Sequence, residues 1–522
     1  MKPLSRRQFL ASGAAATLAG ALPTSLVLGR SAVAAPATTI QAGTRVIEVH
    51  GRPATVFGLT QPDGSPGLAA ESGERFRVRL ANRTAEETLI HWHGLTPPWR
   101  QDGVPGLSQA PLAPGEEHHY DFPLARPGTN WMHSHHGLQE QRLMAAPLIV
   151  RDPAEAGADL QEVVVLLHDF TFRDPDEILA GLQGGGHGGE HDARPAAGNA
   201  GHGGQPAMTM EHGAAGHGSQ PAVTMEHGAA GHGGQPPAAM DHGTGGHGQA
   251  SEPAAHLHDV EYDAFLANHR TLDDPAVYRV ERGGRVRIRL INAATATNFR
   301  IDLDRIQGRL IAVDGMAVEP ITGRRFELAI AQRLDIVLEL PAAEGAWPIF
   351  AVREGERART GFVLATRQGA VQKLPPQAAE SVAPVGLDLE RRLRAAAPLP
   401  VRPADRRHAV TITEAPGYVW MLNGAVHGAH SPLAVREGER VEVTFVDRTS
   451  MAHPMHLHGH HFQVVEVDGE RFAGAIRDTV LVPAGGSVTI AFDAVNPGKW
   501  ALHCHHLYHM AGGMMTTVEY LS

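Results

Sequence analysis

Cysteine, basic charge and long apolar runs are all scarce in this sequence, and each shortage excludes a class of protein. Cys504 is the only cysteine among 522 residues, so no disulfide can form within the chain. The formal net charge is −11, which argues against a nucleic-acid partner because such partners need a basic surface. Beyond the N-terminal region no apolar run is long enough to span a bilayer, so no membrane span is expected.

Histidine, glycine and proline, in contrast, are abundant. The 33 histidines are the compositional outlier, and histidine is the commonest metal ligand among side chains. A chain of 522 residues is too long for one ordinary core, so we expect about two to four domains. Short alternating apolar runs, separated by turns rich in glycine and proline, favour an all-β fold.

The N-terminal region predicts export. Residues 5–10 contain paired arginines and precede an apolar stretch of small residues that ends at Ala34. This combination is typical of a twin-arginine signal peptide at residues 1–34, with cleavage before Ala35. We therefore expect a periplasmic protein. The alternative, a retained N-terminal helix, fits the cleavage pattern less well.

Two sequence features recur three times in the same order. Residues 74–82, 284–292 and 439–447 alternate apolar and polar side chains, follow a glycine-containing turn and end in Asn or Asp. A second feature follows at 127–135, 345–352 and 497–505. The repeat predicts three consecutive β-sandwich domains at residues 40–152, 159–368 and 405–522. A Pro/Ala-rich linker at 369–404 would join the last two.

The middle copy contains an insertion at residues 184–258. Its repeats recur every 15 residues and place histidine and methionine in register, at His212, His227, His242, Met210, Met225 and Met240. This composition of Gly, His, Pro and Met cannot build a packed core, so we expect the insertion to be disordered without metal.

Four His-x-His pairs lie in the predicted terminal domains. On a strand, residues i and i+2 point to the same face, so each pair presents two imidazoles to one side. One such pair is weak evidence, but four at corresponding places in two repeats indicate a shared metal site. The pairs are His91/His93, His133/His135, His456/His458 and His503/His505.

The middle copy has no such pair at the corresponding places. Counting nine and eleven residues from the end of the first feature reaches a histidine pair in the first and last copies. The same count in the middle copy reaches Ile301 and Leu303, and its second feature has Phe350 and Val352 in place of histidines. The eight histidines must then converge between the first and last domains, with the middle domain as a spacer.

Cys504 lies between His503 and His505, so its sulfur should point to the opposite face of the strand. His453, His509 and Met514 are near it in sequence. One cysteine, two histidines and a distant methionine make the trigonal blue-copper ligand set. A buried apolar thiol is the usual alternative for a lone cysteine, but the flanking histidines disfavour it. One strand would then touch two copper sites.

These motifs resemble the three-domain multicopper oxidases of the laccase-like class. They are His-Trp-His-Gly at 91–94, His-Ser-His at 133–135, His-Pro-Met-His-Leu-His-Gly at 453–459 and His-Cys-His-x3-His-x4-Met at 503–514. The last motif looks similar to that of periplasmic copper-resistance oxidases. The resemblance implies cupredoxin-like Greek-key domains, four copper ions, dioxygen as the electron acceptor and a monomer.

The resemblance also implies a role for each ligand. Type 1 copper would be held by His453, Cys504, His509 and axial Met514. Type 2 copper would be held by His91 and His456. The type 3 pair would be held by His93, His133, His135, His458, His503 and His505.

Two further positions bear on proton supply. Asp102 matches the family's acidic residue near the trinuclear site, where it would help deliver protons; the alternative is a turn residue before Gly103. Several relatives carry Glu directly after the histidine that corresponds to His509. Met510 stands there in this sequence, so a proton route at that position is in doubt or must use another group.

The substrate that we expect is cuprous ion, because thioether ligands select Cu(I). Met451 lies two residues before His453, where relatives that oxidise Cu(I) carry methionine. Core packing explains any single methionine equally well. Three alternatives stay open: a laccase that oxidises small phenols, a copper-sequestering protein that acts through the His/Met repeats, and no role for the repeats beyond a solvated linker. A two-domain nitrite reductase and a zinc protein are disfavoured by the number of candidate ligands.

Overall fold

The computed structural model describes residues 37–184 and 257–521, whose regular secondary structure is almost entirely β-strand. The predicted all-β fold of three cupredoxin-like sandwiches is confirmed. In this described part the two α-helices are α1 (Pro175–Gln183) and α2 (Leu507–Ala511), and neither is long and apolar enough to cross a membrane. The predicted signal peptide and nearly all of the predicted insertion lie outside the described residues.

The first domain consists of two four-stranded sheets, ordered β2-β1-β4-β6 and β3-β8-β7-β5. Alternating apolar residues of both sheets enclose a core that includes Phe76, Trp92 and Met132. The strands are β1 (Thr38–Val49), β2 (Arg52–Thr60), β3 (Leu68–Glu71), β4 (Arg75–Asn82), β5 (Ile90–His91), β6 (Glu117–Pro123), β7 (Gly128–Ser134) and β8 (Ala145–Arg151).

The middle domain has sheets ordered β10-β9-β12-β17-β14-β15 and β11-β19-β18-β13-β16. Helix α1 follows its first strand and precedes residue 185, where the described chain breaks off. The strands are β9 (Gln161–Phe170), β10 (Ala264–Ala267), β11 (Val277–Arg279), β12 (Arg285–Asn292), β13 (Phe299–Asp302), β14 (Gly308–Val313), β15 (Met316–Gly323), β16 (Arg325–Leu328), β17 (Arg333–Glu339), β18 (Ala346–Arg353) and β19 (Arg359–Ala365).

The last domain has sheets ordered β21-β20-β23-β29-β25-β26, with β27 also paired to β25, and β22-β31-β30-β24-β28. Helix α2 follows β30 directly. The strands are β20 (Arg406–Ala415), β21 (Val419–Leu422), β22 (Leu433–Val435), β23 (Arg440–Asp447), β24 (His453–Leu457), β25 (Phe462–Val467), β26 (Glu470–Arg471), β27 (Ile476–Arg477), β28 (Thr479–Val482), β29 (Ser487–Asp493), β30 (Lys499–Cys504) and β31 (Met515–Tyr520).

The threefold repeat predicted from the sequence is present in the pairing. The first feature forms β4, β12 and β23, each parallel to the first strand of its domain. The second feature forms β7, β18 and β30. One detail of the count was wrong: Ile301 pairs with Ala351 and both are buried in the core of the middle domain, as Met455 and its partner Cys504 are in the core of the last. Ile301 therefore corresponds to Met455 rather than to His456, while Phe350 lies on the face that His503 occupies in the last domain. The middle domain still has no ligand at that place.

The predicted linker at 369–404 is packed against the body of the protein. Leu389 and Leu393 are buried in the core of the middle domain, and Val385 is buried in the core of the last domain. The connection between the last two domains is therefore packed into the cores of both domains.

Candidate metal centres

All eight paired histidines meet between the first and last domains. Strand β5 places His91 opposite His133 of β7, and β24 places His456 opposite His503 of β30. The imidazoles form one contiguous cluster, with neighbouring ring centroids 3.8–6.2 Å apart. The predicted convergence across two domains is therefore present.

Ligand atoms within this cluster, which we call the histidine cluster, gather into threes. In each group the nitrogen atoms lie within 4.8 Å of one another, and each group draws on both terminal domains. Two of the groups, His93/His133/His505 and His135/His458/His503, each offer three imidazoles, as the two coppers of a type 3 pair require. The role of each histidine remains a prediction. The groups are His91/His93/His456, His93/His133/His505 and His135/His458/His503.

Orphaned nitrogens show that the cluster fits a metal. Nδ1 of His91 donates to the carbonyl of Asp102 (2.9 Å), Nδ1 of His456 to the carbonyl of Asp478 (2.8 Å), and Nε2 of His93 to the Asp478 carboxylate (3.0 Å). The opposite nitrogen of each ring is buried without a hydrogen-bond partner. Burial, and then the neighbouring imidazoles, hold the pKa of His93 and His456 well below the usual range, so both rings are neutral, as metal ligation requires.

Asp102 joins histidines of two domains. Its carboxylate lies 2.8 Å from Nδ1 of His458 and 3.3 Å from Nδ1 of His91, and it is almost fully buried. Gly103 follows at φ +82°, in a turn where only glycine fits, because a Cβ would lie 1.9 Å from the carbonyl oxygen of Ile90. Asp102 therefore orients two imidazoles of the histidine cluster in addition to occupying the turn.

Two further buried acids touch the cluster, and the motifs did not reveal them. Glu140 lies 3.1 Å from Nδ1 of His133 and 3.9 Å from Nδ1 of His505. Asp478 holds His93 and also contacts His456. The one available signal was Asp478 itself, an acid that lies between Ile476 and the apolar run 480–482, since an acid in such surroundings is buried only with partners.

A second candidate centre, which we call the thiol site, surrounds Cys504. Its sulfur lies 3.8 Å from Nδ1 of His453 and 3.8 Å from Nδ1 of His509, and these two nitrogens are 3.2 Å apart. Met514 is fully buried beside them. Burial raises the pKa of the Cys504 thiol, so a metal has to displace its proton. Burial also lowers the pKa of His509 to about 3 and leaves its ring neutral.

His509 is enclosed on every side in the structure. Its ring stacks on His506 with centroids 3.7 Å apart and on Trp420 at 3.9 Å, and its Nε2 lies 3.3 Å from the Asp259 carboxylate. Burial raises the pKa of Asp259, but His506 and His509 outweigh burial and hold that pKa well below its usual range. Sequence reasoning assigned no role to Asp259 or His506.

The two centres share strand β30. Cys504 belongs to the thiol site, while His503 and His505 belong to two different groups of the histidine cluster. The alternation predicted for an extended strand is therefore present, with the sulfur on one face and the imidazoles on the other. A few covalent bonds connect the two centres, which suits electron transfer between them.

Three family models of multicopper oxidases match the chain, at residues 44–155, 162–368 and 401–521. The multicopper oxidase MmcO of Mycobacterium tuberculosis is 29% identical over 89% of this chain and 82% of its own length. Copper resistance protein A of Escherichia coli is 25% identical over 99% of both chains. The crystal structure of laccase from Botrytis aclada has a TM-score of 0.69 at 21% identity, covering 92% of this chain and 88% of that one.

The chain belongs to the multicopper oxidase family. Members of this family bind four copper ions, of types 1, 2 and 3, and use dioxygen as the electron acceptor. Residues 3–23 match the twin-arginine signal model, which confirms the predicted export to the periplasm. The comparisons thus establish the class of oxidoreductase and leave its reductant open.

Proposed function

We propose that this protein is a cuprous oxidase that protects the periplasm from copper. When copper is bound, the thiol site supplies one-electron transfer and the histidine cluster supplies reduction of dioxygen. Four Cu(I) ions, one dioxygen and four protons give four Cu(II) ions and two waters. One relative, copper resistance protein A of Escherichia coli, is named for such a role.

The proposed roles of the ligands follow the two centres. His453, Cys504, His509 and Met514 would hold type 1 copper, and His91 and His456 would hold type 2 copper. The remaining six paired histidines would hold the type 3 pair. Asp102 and Glu140 would orient histidines of the cluster through their Nδ1 atoms, and Asp102 is also a candidate proton donor.

A small cavity beside the thiol site is the observation that supports Cu(I) as the substrate. It has a volume of about 200 Å³ and is lined by Met451, His506 and Glu354 among mostly apolar neighbours. His506 stacks on His509, so a reductant in the cavity lies one ring away from the thiol site. A thioether, an imidazole and a carboxylate suit a copper ion, whereas pockets for larger organic ligands usually exceed about 300 Å³.

Enclosure of His509 disfavours a bulky phenol as the substrate. Its imidazole is fully buried under Asp259, His506 and Trp420, so no ring edge is open to a large aromatic molecule. Electrons from a small ion can instead enter through His506 or Asp259, which both touch His509 directly.

The described residues that flank the His/Met repeats lie beside this cavity. Ile178 of α1, just before the repeats, and Val260, just after them, are buried in the same core as Met451 and Trp420. Leu257, the first described residue after the repeats, lines the cavity itself. The repeats thus leave and re-enter the fold close to the thiol site, where copper that they collect would be delivered.

Replacing Met451 with Leu tests the substrate. Leucine keeps the volume but removes the thioether, so kcat/KM for Cu(I) should fall about tenfold or more while that for a bulky phenol stays unchanged. Met421→Leu, a methionine of the same domain outside the cavity lining, is the control and should leave both rates unchanged. Equal losses on both substrates, or no loss on Cu(I), would count against the cuprous oxidase.

Deleting residues 184–248 tests the repeats separately. Oxidation of Cu(I) should fall when copper is limiting and recover when copper is in excess, while oxidation of an organic dye is spared. Equal losses on both substrates would discard delivery by the repeats. Absence of oxygen consumption by the parent protein would favour the copper-sequestering alternative instead.

A further inference from the structure

We propose that the middle domain takes part in the histidine cluster through Arg333, which holds Asp478 and thereby positions His93 and His456. This inference rests on the ligand roles proposed above and is independent of the identity of the reductant. It assigns a positioning residue to a domain that the sequence identified only as a spacer.

Arg333 reaches the cluster through a chain of short contacts. The side chain is fully buried at the start of β17 and donates to both carboxylate oxygens of Asp478, at 2.7 and 2.5 Å. The same carboxylate accepts a hydrogen bond from Nε2 of His93 at 3.0 Å, and the Asp478 carbonyl accepts one from Nδ1 of His456 at 2.8 Å. Bidentate pairing fixes the plane of a carboxylate, so Arg333 fixes the acceptor that sets the orientation of His93.

Arg333 also holds the first domain at two points. Its Nε donates to the carbonyl of Thr129 at 3.1 Å, on the strand that carries His133. Its guanidinium lies over Gly94, where a Cβ would be 2.7 Å from an Arg333 nitrogen. Gly94 has φ +93° and ends the His-Trp-His-Gly motif, so the glycine serves both the turn and the approach of the guanidinium. One side chain of the middle domain therefore contacts two ligand-bearing segments of the first domain and, in the last domain, the acid that contacts His93 and His456.

A buried network keeps Arg333 charged and immobile. Its backbone N–H donates to Asp314 at 2.8 Å, Arg477 donates to the same carboxylate at 3.0 Å, and Glu390 pairs with Arg477. Burial lowers the pKa of Arg333, but Asp478 and Asp314 outweigh burial and raise that pKa above its usual value. Loss of the guanidinium would leave the Asp478 carboxylate buried without its cation, and the carboxylate would have to move or take up a proton.

Arg289 provides a matched comparison. It is also a buried arginine of the middle domain that faces the first domain, and it donates to the Thr129 hydroxyl at 2.8 Å and to Asp335 at 2.6 Å. Arg289 also pairs with Glu162, and none of these partners is hydrogen-bonded to a histidine of the cluster. Removing Arg289 thus breaks a buried ion pair within the middle domain, where it faces the first domain, without touching the positioning chain.

The experiment compares Arg333→Gln, Arg333→Lys and Arg289→Gln as copper-loaded full-length proteins. The readouts are copper per chain, the ratio of type 2 and type 3 spectroscopic signals to type 1 blue absorption, and the Tm of the copper-free proteins. Arg333→Gln should keep the blue absorption while the cluster binds copper about 10- to 100-fold more weakly. Arg333→Lys keeps the charge without the bidentate fork and should restore the ratio in part. Arg289→Gln should keep the parent ratio although its Tm falls.

Parent spectra for Arg333→Gln would overturn the inference, and so would the same loss of ratio in Arg289→Gln, because a general effect of domain packing would then explain it. Where Arg333→Gln does not fold, Arg333→Lys decides: a parent ratio in that variant overturns the inference and a lowered ratio supports it. If the parent protein itself oxidised a phenol in preference to Cu(I), that result would overturn the proposed function and leave the role of Arg333 standing.

Discussion

The first and last domains have the same local backbone framework around their histidine pairs. They differ in the side chains on the second face of this framework, the face opposite the paired histidines. Ser134 pairs with Ile90 where Cys504 pairs with Met455, and the histidines beside them pair in the same register. The backbone N–H of Ser134 donates to Met144 at 2.9 Å, as that of Cys504 donates to Met514 at 3.2 Å. The two segments are therefore equivalent residue by residue.

On this second face the first domain has hydrogen bonds where the last domain has candidate metal ligands. The equivalents of His453, Cys504, His509 and Met514 are Thr88, Ser134, Gln139 and Met144. The Gln139 side-chain oxygen accepts from the hydroxyls of Thr88 and Ser134, each at 2.7 Å. A closed polar triad thus fills the place that the thiol site occupies in the last domain, and three side chains distinguish this structural site from the candidate metal site on one scaffold.

The largest difference between the two faces should appear when the sulfur or its counterpart is removed. Cys504→Ser deletes the thiolate and should abolish the intense blue absorption and all turnover. Ser134→Ala deletes only neutral hydrogen bonds, to the Gln139 side chain and the His136 backbone, costs about 1–2 kcal/mol and should leave colour and turnover intact. Absorption and oxygen consumption measure both variants. A Cys504→Ser protein that stays blue would refute the thiol site.

Rebuilding the thiol site in the first domain would sharpen the equivalence. The triple variant Thr88→His, Ser134→Cys, Gln139→His retains Met144 and completes the ligand set. It should bind about one additional copper and roughly double the blue absorption per chain, because the framework is the same. Metal analysis with optical spectra gives the answer. The double variant without Ser134→Cys is the control and should bind no second blue copper; a colourless triple variant would show that the two frameworks differ.

Glu140 is a third point of comparison, because it follows Gln139 as Met510 follows His509. The acid that several relatives carry at the Met510 position therefore stands here in the first domain, against His133 and His505. Glu140→Gln removes the carboxylate that lies against two histidines and should lower turnover about 10- to 100-fold without loss of blue colour. Glu86→Gln, an exposed acid of the same domain, is the control. Parent turnover and copper content in Glu140→Gln would assign Glu140 no part in the site.

Sequence periodicity predicted what lies along one strand and missed what lies between domains. The two-residue repeat was sufficient to place His503 and His505 on one face and Cys504 on the other. Arg333 could not be predicted as a partner of Asp478, because 145 residues separate them and no local pattern links them. The counting error at Ile301 has a similar origin, because equal spacing in sequence does not fix strand register once loops differ in length. The Asn292 amide donates to the carbonyl five residues on, whereas that of Asn82 donates to the carbonyl four residues on.

The smallest effect concerns the residue that ends the first feature, Asn82 in the first domain and Asp447 in the last. Both accept a hydrogen bond from the backbone two residues on, at 2.9 Å. Burial raises the pKa of Asp447 to about 6. A folded-state pKa above the unfolded value means that the stability contributed by this carboxyl is complete below about pH 4 and is lost as the pH rises through about 6.

Asp447→Asn cannot ionise, so its Tm relative to the parent should rise by roughly 2–4 °C between pH 4.5 and pH 7.5 in the copper-free proteins. Calorimetry at both pH values isolates this difference from all other titrations. Asn82→Asp is the reverse exchange, and its Tm relative to the parent should fall over the same interval, because a carboxylate replaces an amide that donates to Leu112 at 2.9 Å. Parallel profiles of Tm against pH for all three proteins would show that burial does not raise the pKa of the Asp447 carboxyl.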